Sequence, residues 1–219
     1  MSDTSEPTET GAAAAFEKAQ QIIAQAVRDD ETHLDLSGLG LTTVPPEIKQ
    51  LVQLDTLHLY GNQLTSLPPE IGQLVQLSIL TVCDNKLTSV PSEIGQLVKL
   101  EYLNLSHNML TSIPHEIGQL AQLYTLELDA NLLTSVPPEI CQLPQLCALV
   151  LSGNQLASLP ESFRRLSKLM ALFLHDNPKL KLPASVLGMP PYEWDNDWDT
   201  APKPGPILDY YFGAQTPKE

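Results

Sequence analysis

Basic residues are scarce in this chain: 12 Lys and Arg stand against 26 Asp and Glu, a formal charge of −14. Without a basic stripe, the chain is a poor match for nucleic acid or for an anionic membrane surface. No apolar run is long enough to span a bilayer. There are three cysteines, Cys83, Cys141 and Cys147, and their spacing fits no disulfide-capping motif. An odd set of this kind points to free thiols in a reducing compartment. The opening Met1-Ser-Asp-Thr-Ser-Glu-Pro has neither the charged nor the apolar region of a secretory signal. A cytoplasmic location is therefore expected. The sequence also lacks a Gly-x-x-x-x-Gly-Lys-[Ser/Thr] phosphate loop, a Gly-x-Gly-x-x-Gly turn and a His-Glu-x-x-His pair. Neither a cofactor nor a metal is expected.

What is present is a period. Leucines 34, 57, 80, 103, 126, 149 and 172 are spaced 23 residues apart, and their neighbours repeat with them. Two residues on comes Leu or Val (Leu36, Leu59, Val82, Leu105, Leu128, Leu151, Leu174). Five on comes Asn in six of the seven units (Asn62, Asn85, Asn108, Asn131, Asn154, Asn177), and eleven on comes Pro in all of them (Pro45 to Pro183). This is L-x-L-x-x-N-x-L-x-x-[LIV]-P-x-x-[IF]-x-x-L-x-x-L, the pattern of a leucine-rich repeat. The fold class that follows is an α/β solenoid, a horseshoe with a parallel sheet on its concave side.

Each unit opens on a short strand such as Thr56-Leu57-His58-Leu59-Tyr60, with leucines inward and the alternate residues outward. The Asn follows where the chain turns off the strand. Its amide can satisfy buried backbone groups of the turn and of the adjacent unit, so the six Asn form a stacked structural ladder. Pro-x-Glu-Ile then opens a short helical return, where proline's missing donor costs nothing. The recurring Glu47, Glu70, Glu93, Glu116 and Glu139 sit early in that return, where negative charge is favourable, and are structural. Units one and seven depart from the pattern. Leu39 replaces the first Asn, and Lys179 takes an inward Leu position with Leu180 one place late. Terminal units that face solvent are expected to deviate in this way.

The domain expectation is a disordered tail over 1–11, a helical cap over 12–31, seven repeats over 32–188 and an irregular cap or linker over 189–219. The first cap is amphipathic, with Phe16, Ala19, Ile23 and Ala26/Val27 on one face. The C-terminal stretch is acidic and proline-rich, and it holds Trp194, Trp198 and the apolar Ile207-Leu-Asp-Tyr-Tyr-Phe. It reads either as a cap wrapping the last unit or as an arm docking a partner or adjoining domain. Arg164, Arg165, Lys168, Lys179 and Lys181, concentrated in the last two units, favour wrapping.

The outward strand positions vary from unit to unit while the inward ones do not. The candidate partner-binding residues are therefore His58, Tyr60, Thr81, Cys83, Tyr102, Asn104, Ser106, Tyr124, Glu127, Asp129, Val150, Phe173 and His175. Aromatic anchors among polar neighbours suit protein recognition; drift on a solvated sheet is the plainer reading. Two chemical constellations fall on the same face. His58 and Cys83 lie on neighbouring strands and invite a Cys–His nucleophile, or a metal site with His33, yet no group orients the thiol. Glu127 and Asp129 resemble paired acids, but an open, solvated groove does not raise a carboxyl pKa. No catalytic residue is expected.

The Leu-Thr-x-[Leu/Val/Ile]-Pro-x-Glu-Ile unit resembles the 23-residue Ras-group class of leucine-rich repeats. Ala19-Gln-Gln-Ile-Ile-Ala-Gln-Ala, Leu34-Asp-Leu-Ser-Gly-Leu-Gly-Leu-Thr and the tail Leu187-Gly to Ile207-Leu-Asp-Tyr-Tyr-Phe resemble the repeat region and exit linker of bacterial Roco-type proteins. That resemblance implies a signalling scaffold whose partner is a protein, such as a small-GTPase-like domain. The GTPase activity itself does not transfer, because no phosphate loop is present.

Overall fold

A computed structural model describes residues 9–193 and 199–215. Helix α1 (Glu9–Asp29) precedes seven strands: β1 (His33–Asp35), β2 (Thr56–His58), β3 (Ile79–Thr81), β4 (Tyr102–Asn104), β5 (Thr125–Glu127), β6 (Ala148–Val150) and β7 (Ala171–Phe173). They form one parallel sheet in chain order, and each residue pairs with the residue 23 positions on, as in Leu57↔Leu80. The outer side carries short 3₁₀ turns such as Pro69–Gln73, closed by Ile71 N–H donating to Pro68 O (3.0 Å) and Leu74 N–H to Ile71 O (3.1 Å). Two short helices follow, α2 (Ala184–Leu187) and α3 (Pro204–Gln215).

The aliphatic positions of every unit converge on one core. In the third unit Leu80, Val82, Leu87, Val90, Ile94, Leu97 and Leu100 are all buried. Burying such a side chain contributes about 1.5–3 kcal/mol, and chain entropy cancels most of it. The Asn ladder ties the slab together between units. Asn108 Oδ1 accepts from Leu87 N–H (2.9 Å), and its Nδ2 donates to Val82 O (3.0 Å), Leu105 O (3.1 Å) and Ser106 O (3.1 Å). Asn62, Asn85, Asn131 and Asn154 repeat the arrangement, each reaching back one unit. Leu39 breaks the ladder where no earlier strand offers carbonyls, and it packs against the core instead.

The residue before each Asn lies in the left-handed region: Gly61 (φ 65°), Asp84 (55°), His107 (53°), Ala130 (50°), Gly153 (64°) and Asp176 (54°). Glycine adopts this conformation freely and alanine does not. A second glycine column lies in the outer turns. A Cβ on Gly95 would stand 2.8 Å from Glu116 O, and Gly72 and Gly118 are equally confined. The three central turns therefore stack at backbone contact. At the same turn position the first and fifth units carry Lys49 and Cys141, and there the turns stand further apart.

At the ends the structure departs from the sequence expectations. Helix α1 begins at Glu9, so residues 9–11 are helical rather than part of a tail, and residues 1–8 lie outside the described residues. It buries Ala15, Ala19, Ile23 and Ala26, while Phe16 is half-buried. Gln20 Nε2 donates to Glu47 Oε1 (3.0 Å) and pins the helix to the first outer turn. At the other end Ile207, Leu208 and Tyr211 of α3 enter the core. Leu159 N–H donates to Tyr211 Oη (3.1 Å), Arg164 pairs with Asp209 (2.7 Å), and the Arg164 guanidinium lies 5.0 Å from the centre of the Phe212 ring. Trp194 and Trp198, the two tryptophans of that C-terminal stretch, lie outside the described residues.

Candidate functional site

The alternation within three-residue strands sets two faces. Leu149 and Leu172 enter the main core, whereas their neighbours Ala148, Val150, Ala171 and Phe173 form a separate buried cluster on the concave side with Ala201. This corrects the expectation for two candidate residues. Phe173 (0% exposed) and Val150 (5%) do not form an open apolar surface, because the chain's own tail lies over them. The same tail closes the sheet edge, where Leu172 N–H donates to Pro202 O (3.0 Å) in place of a further strand. His175 is also engaged there, its Nε2 lying 3.0 Å from Gly188 O.

The open part of the concave face runs over β1–β5. Tyr60 (47%) and Tyr124 (41%) are exposed, and His58, Thr81, Cys83, Tyr102, Asn104, Glu127 and Asp129 are half-buried. Ser106 is a further correction, since it is buried at 4% exposure and donates to Asp129 Oδ1. The centre is a lateral network between adjacent strands. Tyr102 O–H donates to Glu127 Oε1 (3.0 Å), Asn104 Nδ2 donates to Glu127 Oε2 (2.6 Å), and His107 Nε2 lies 3.8 Å from Asp129 Oδ2. Sequence reading did not single out His107, which has a left-handed backbone (φ 53°) and whose ring approaches Asp129.

These contacts revise the chemistry. The groove is not open enough to leave Glu127 unperturbed. Burial raises its carboxyl pKa and the neighbouring Asp129 raises it further, against the hydrogen bond from Tyr102, which lowers it. Tyr102 is pushed well above the ordinary tyrosine value, chiefly by burial and then by the Glu127 charge. The Cys83 thiol is raised to about 11 by burial and by the adjacent Asp84. A thiol held in its protonated form is a poor nucleophile, and His58 Nδ1 is engaged with Thr81 Oγ1 (2.8 Å). Among the described residues no three His, Cys, Asp or Glu side chains are placed to hold a metal ion. No helix among them is long and apolar enough to cross a membrane.

A second concavity was not anticipated. Gln53, Asp55, Gln76, Ser78, Lys99, Glu101 and Gln122 line a cleft of about 670 Å³ where the chain enters β2 to β5. These residues precede the strands, so the period-two pattern that flagged the concave face does not reach them.

A family model of the leucine-rich repeat region matches residues 32–130 and 91–181. Among solved structures, a leucine-rich repeat protein of Leptospira interrogans is similar at 34% identity with a TM-score of 0.57. That match covers 69% of this chain and 51% of the other. The leucine-rich repeat ectodomain of the membrane receptor kinase GASSHO1/SCHENGEN3 from Arabidopsis thaliana, in complex with CASPARIAN STRIP INTEGRITY FACTOR 2, is similar at 35% identity with a TM-score of 0.58. It covers 62% of this chain and 17% of that one. The chain thus spans about half the length of the first of these relatives and less of the second. No curated protein is significantly similar to it. With seven parallel strands in an unclosed sheet and a repeat model over most of its length, the chain belongs to the leucine-rich repeat proteins.

Proposed function

We propose that the chain is a non-catalytic protein-binding module that grips its partner on the concave sheet over β1–β5. The observation that carries this reading is where the side-chain variety falls. Outward strand positions change from His58 to Thr81 to Asn104 to Glu127, whereas Glu-Ile-Gly-Gln-Leu recurs almost unchanged on the outer turns. Leucine-rich repeats are a common protein-interaction scaffold, and the Arabidopsis relative is in complex with a partner. The finer reading, a cytoplasmic signalling scaffold holding a small-GTPase-like domain, rests on the resemblance to Roco-type repeats.

The test is affinity capture with the intact chain, followed by mass spectrometry of the bound protein. Alanine at Tyr60, Tyr102 and Glu127 should abolish capture; retained capture refutes the concave reading. A second reading, docking through the C-terminal tail, draws on Tyr210, which is 45% exposed on α3. Loss of capture in Tyr210→Ala, with the concave variants unaffected, would favour it.

A further inference from the structure

The outward positions on and just after the strands carry acids but no Lys or Arg: Asp35, Glu127 and Asp129 are among them, and His33 and His58 share the same columns. Glu127 and Asp129 stand two residues apart on one face, and the side chains that hold them come from one side. Tyr102 and Asn104 of β4 hold Glu127, and Ser106 and His107, just after β4, hold Asp129. Neither carboxylate has a Lys or Arg partner among the described residues. On the far side Ser152 follows Asp129 in the same column, 5% exposed, and its hydroxyl is without a partner among the described residues. Two carboxylates fixed in orientation, with a histidine on Asp129 but no Lys or Arg on either, and beside an unsatisfied hydroxyl, form an incomplete electrostatic arrangement. Charges withdrawn from water in this way are costly until a cation arrives.

We propose that the centre of the concave face, Glu127 and Asp129 with Tyr102 beside them, receives an extended partner segment bearing cationic side chains at alternate positions, of the form Arg-x-Arg. The inference rests on the concave-face reading above. An extended segment lying along β5 places alternate side chains on one face at about 6.5–7 Å, the spacing of residues two apart on a strand. A guanidinium matches a fixed carboxylate in a planar, two-pronged pair, which lysine cannot reproduce. The tail-covered wall at Phe173 and Val150 bounds this strip on the β6 side.

The probe is a capped Ala-Arg-Ala-Arg-Ala peptide, compared with its citrulline counterpart, which keeps the shape and removes the charge. Amide chemical-shift mapping on the intact chain should show changes centred on Tyr102 to Asp129. Replacing arginine with citrulline, or using the double variant Glu127→Gln/Asp129→Asn, should weaken binding about tenfold or more. The double variant Glu17→Gln/Glu161→Gln has the same net charge and alters only exposed, distant acids, so it should bind like the parent. Equal weakening in both double variants, equal binding of the citrulline peptide, or no shifts at millimolar peptide overturns the inference. If a protein partner is lost on Tyr60→Ala but indifferent to Glu127→Gln/Asp129→Asn, the concave reading stands and this one falls. The spectra of the same samples report whether each variant is folded.

Discussion

Replacing Asn108 with alanine probes the force that locks one repeat to the next. Carbonyls Val82 O and Leu105 O each accept from two asparagines, Asn85 and Asn108 for the first and Asn108 and Asn131 for the second. Removing Asn108 therefore leaves both with one bond. Leu87 N–H is different: its acceptor is Asn108 Oδ1, and in the variant it is stranded in a region with almost no solvent. An orphaned buried donor costs about 1–3 kcal/mol and each further bond lost about 0.5–1.5 kcal/mol, so the total should be about 3 kcal/mol. Ser106→Ala removes a single hydroxyl contact to Asp129 and should cost about 1 kcal/mol. Urea unfolding followed by circular dichroism compares the two, and hydrogen exchange at the Leu87 amide gives a local readout. Equal losses for the two variants, or an unchanged Leu87 exchange rate in Asn108→Ala, would refute the reasoning.

Four further outcomes are expected. Ala130→Gly relieves a left-handed alanine (φ 50°) and should raise the melting temperature by about 1–3 °C, whereas Gly153→Ala should lower it, its new Cβ standing 3.2 Å from Ala130 N. Gly95→Ala drives a methyl group into Glu116 O and should cost about 1–3 kcal/mol in denaturant unfolding, while Cys141→Gly should cost less than 1 kcal/mol, about the backbone-entropy penalty of glycine. Glu127 has a raised pKa in the folded state, so the folded chain holds its proton more readily than the unfolded one and loses stability as pH rises through that value. Glu127→Gln should then gain on the parent in thermal melts as pH rises from the ordinary glutamate range towards neutrality, and a pH-independent difference would contradict this. With its thiol raised to about 11, Cys83 should alkylate about 100-fold more slowly at pH 8 than a free thiol of ordinary pKa, read by peptide mass mapping.

The repeat was legible because one physical demand recurs at fixed spacing. Leu57 and Leu80 must face the same core, and Asn85 and Asn108 must answer the same buried backbone groups. The tail was less legible because it repeats nothing. Alternation alone places Phe173 outward, and only the route of Ala201 and Pro202 shows that outward is not exposed. Glu127 was misjudged for a related reason. Its burial comes from Tyr102 and Asn104 one strand away, a sideways relation that a pattern read along the chain does not weigh. The left-handed position was signalled by Gly61-Asn62 and Gly153-Asn154, but Asp84, His107 and Ala130 in the same column hide it.

Because every asparagine reaches back to the preceding loop, each rung is completed by its successor, and the array has a direction. Leu156 N–H is answered by Asn177, but Leu180 N–H, in the seventh loop, turns to Asn177 O of its own unit. Interior units are therefore interchangeable modules at the level of the main chain. Excising or duplicating one whole period would leave every junction chemically intact while shortening or lengthening the groove by one strand spacing, about 4.8 Å. Evolution can resize such a grip by recombination without inventing a new core.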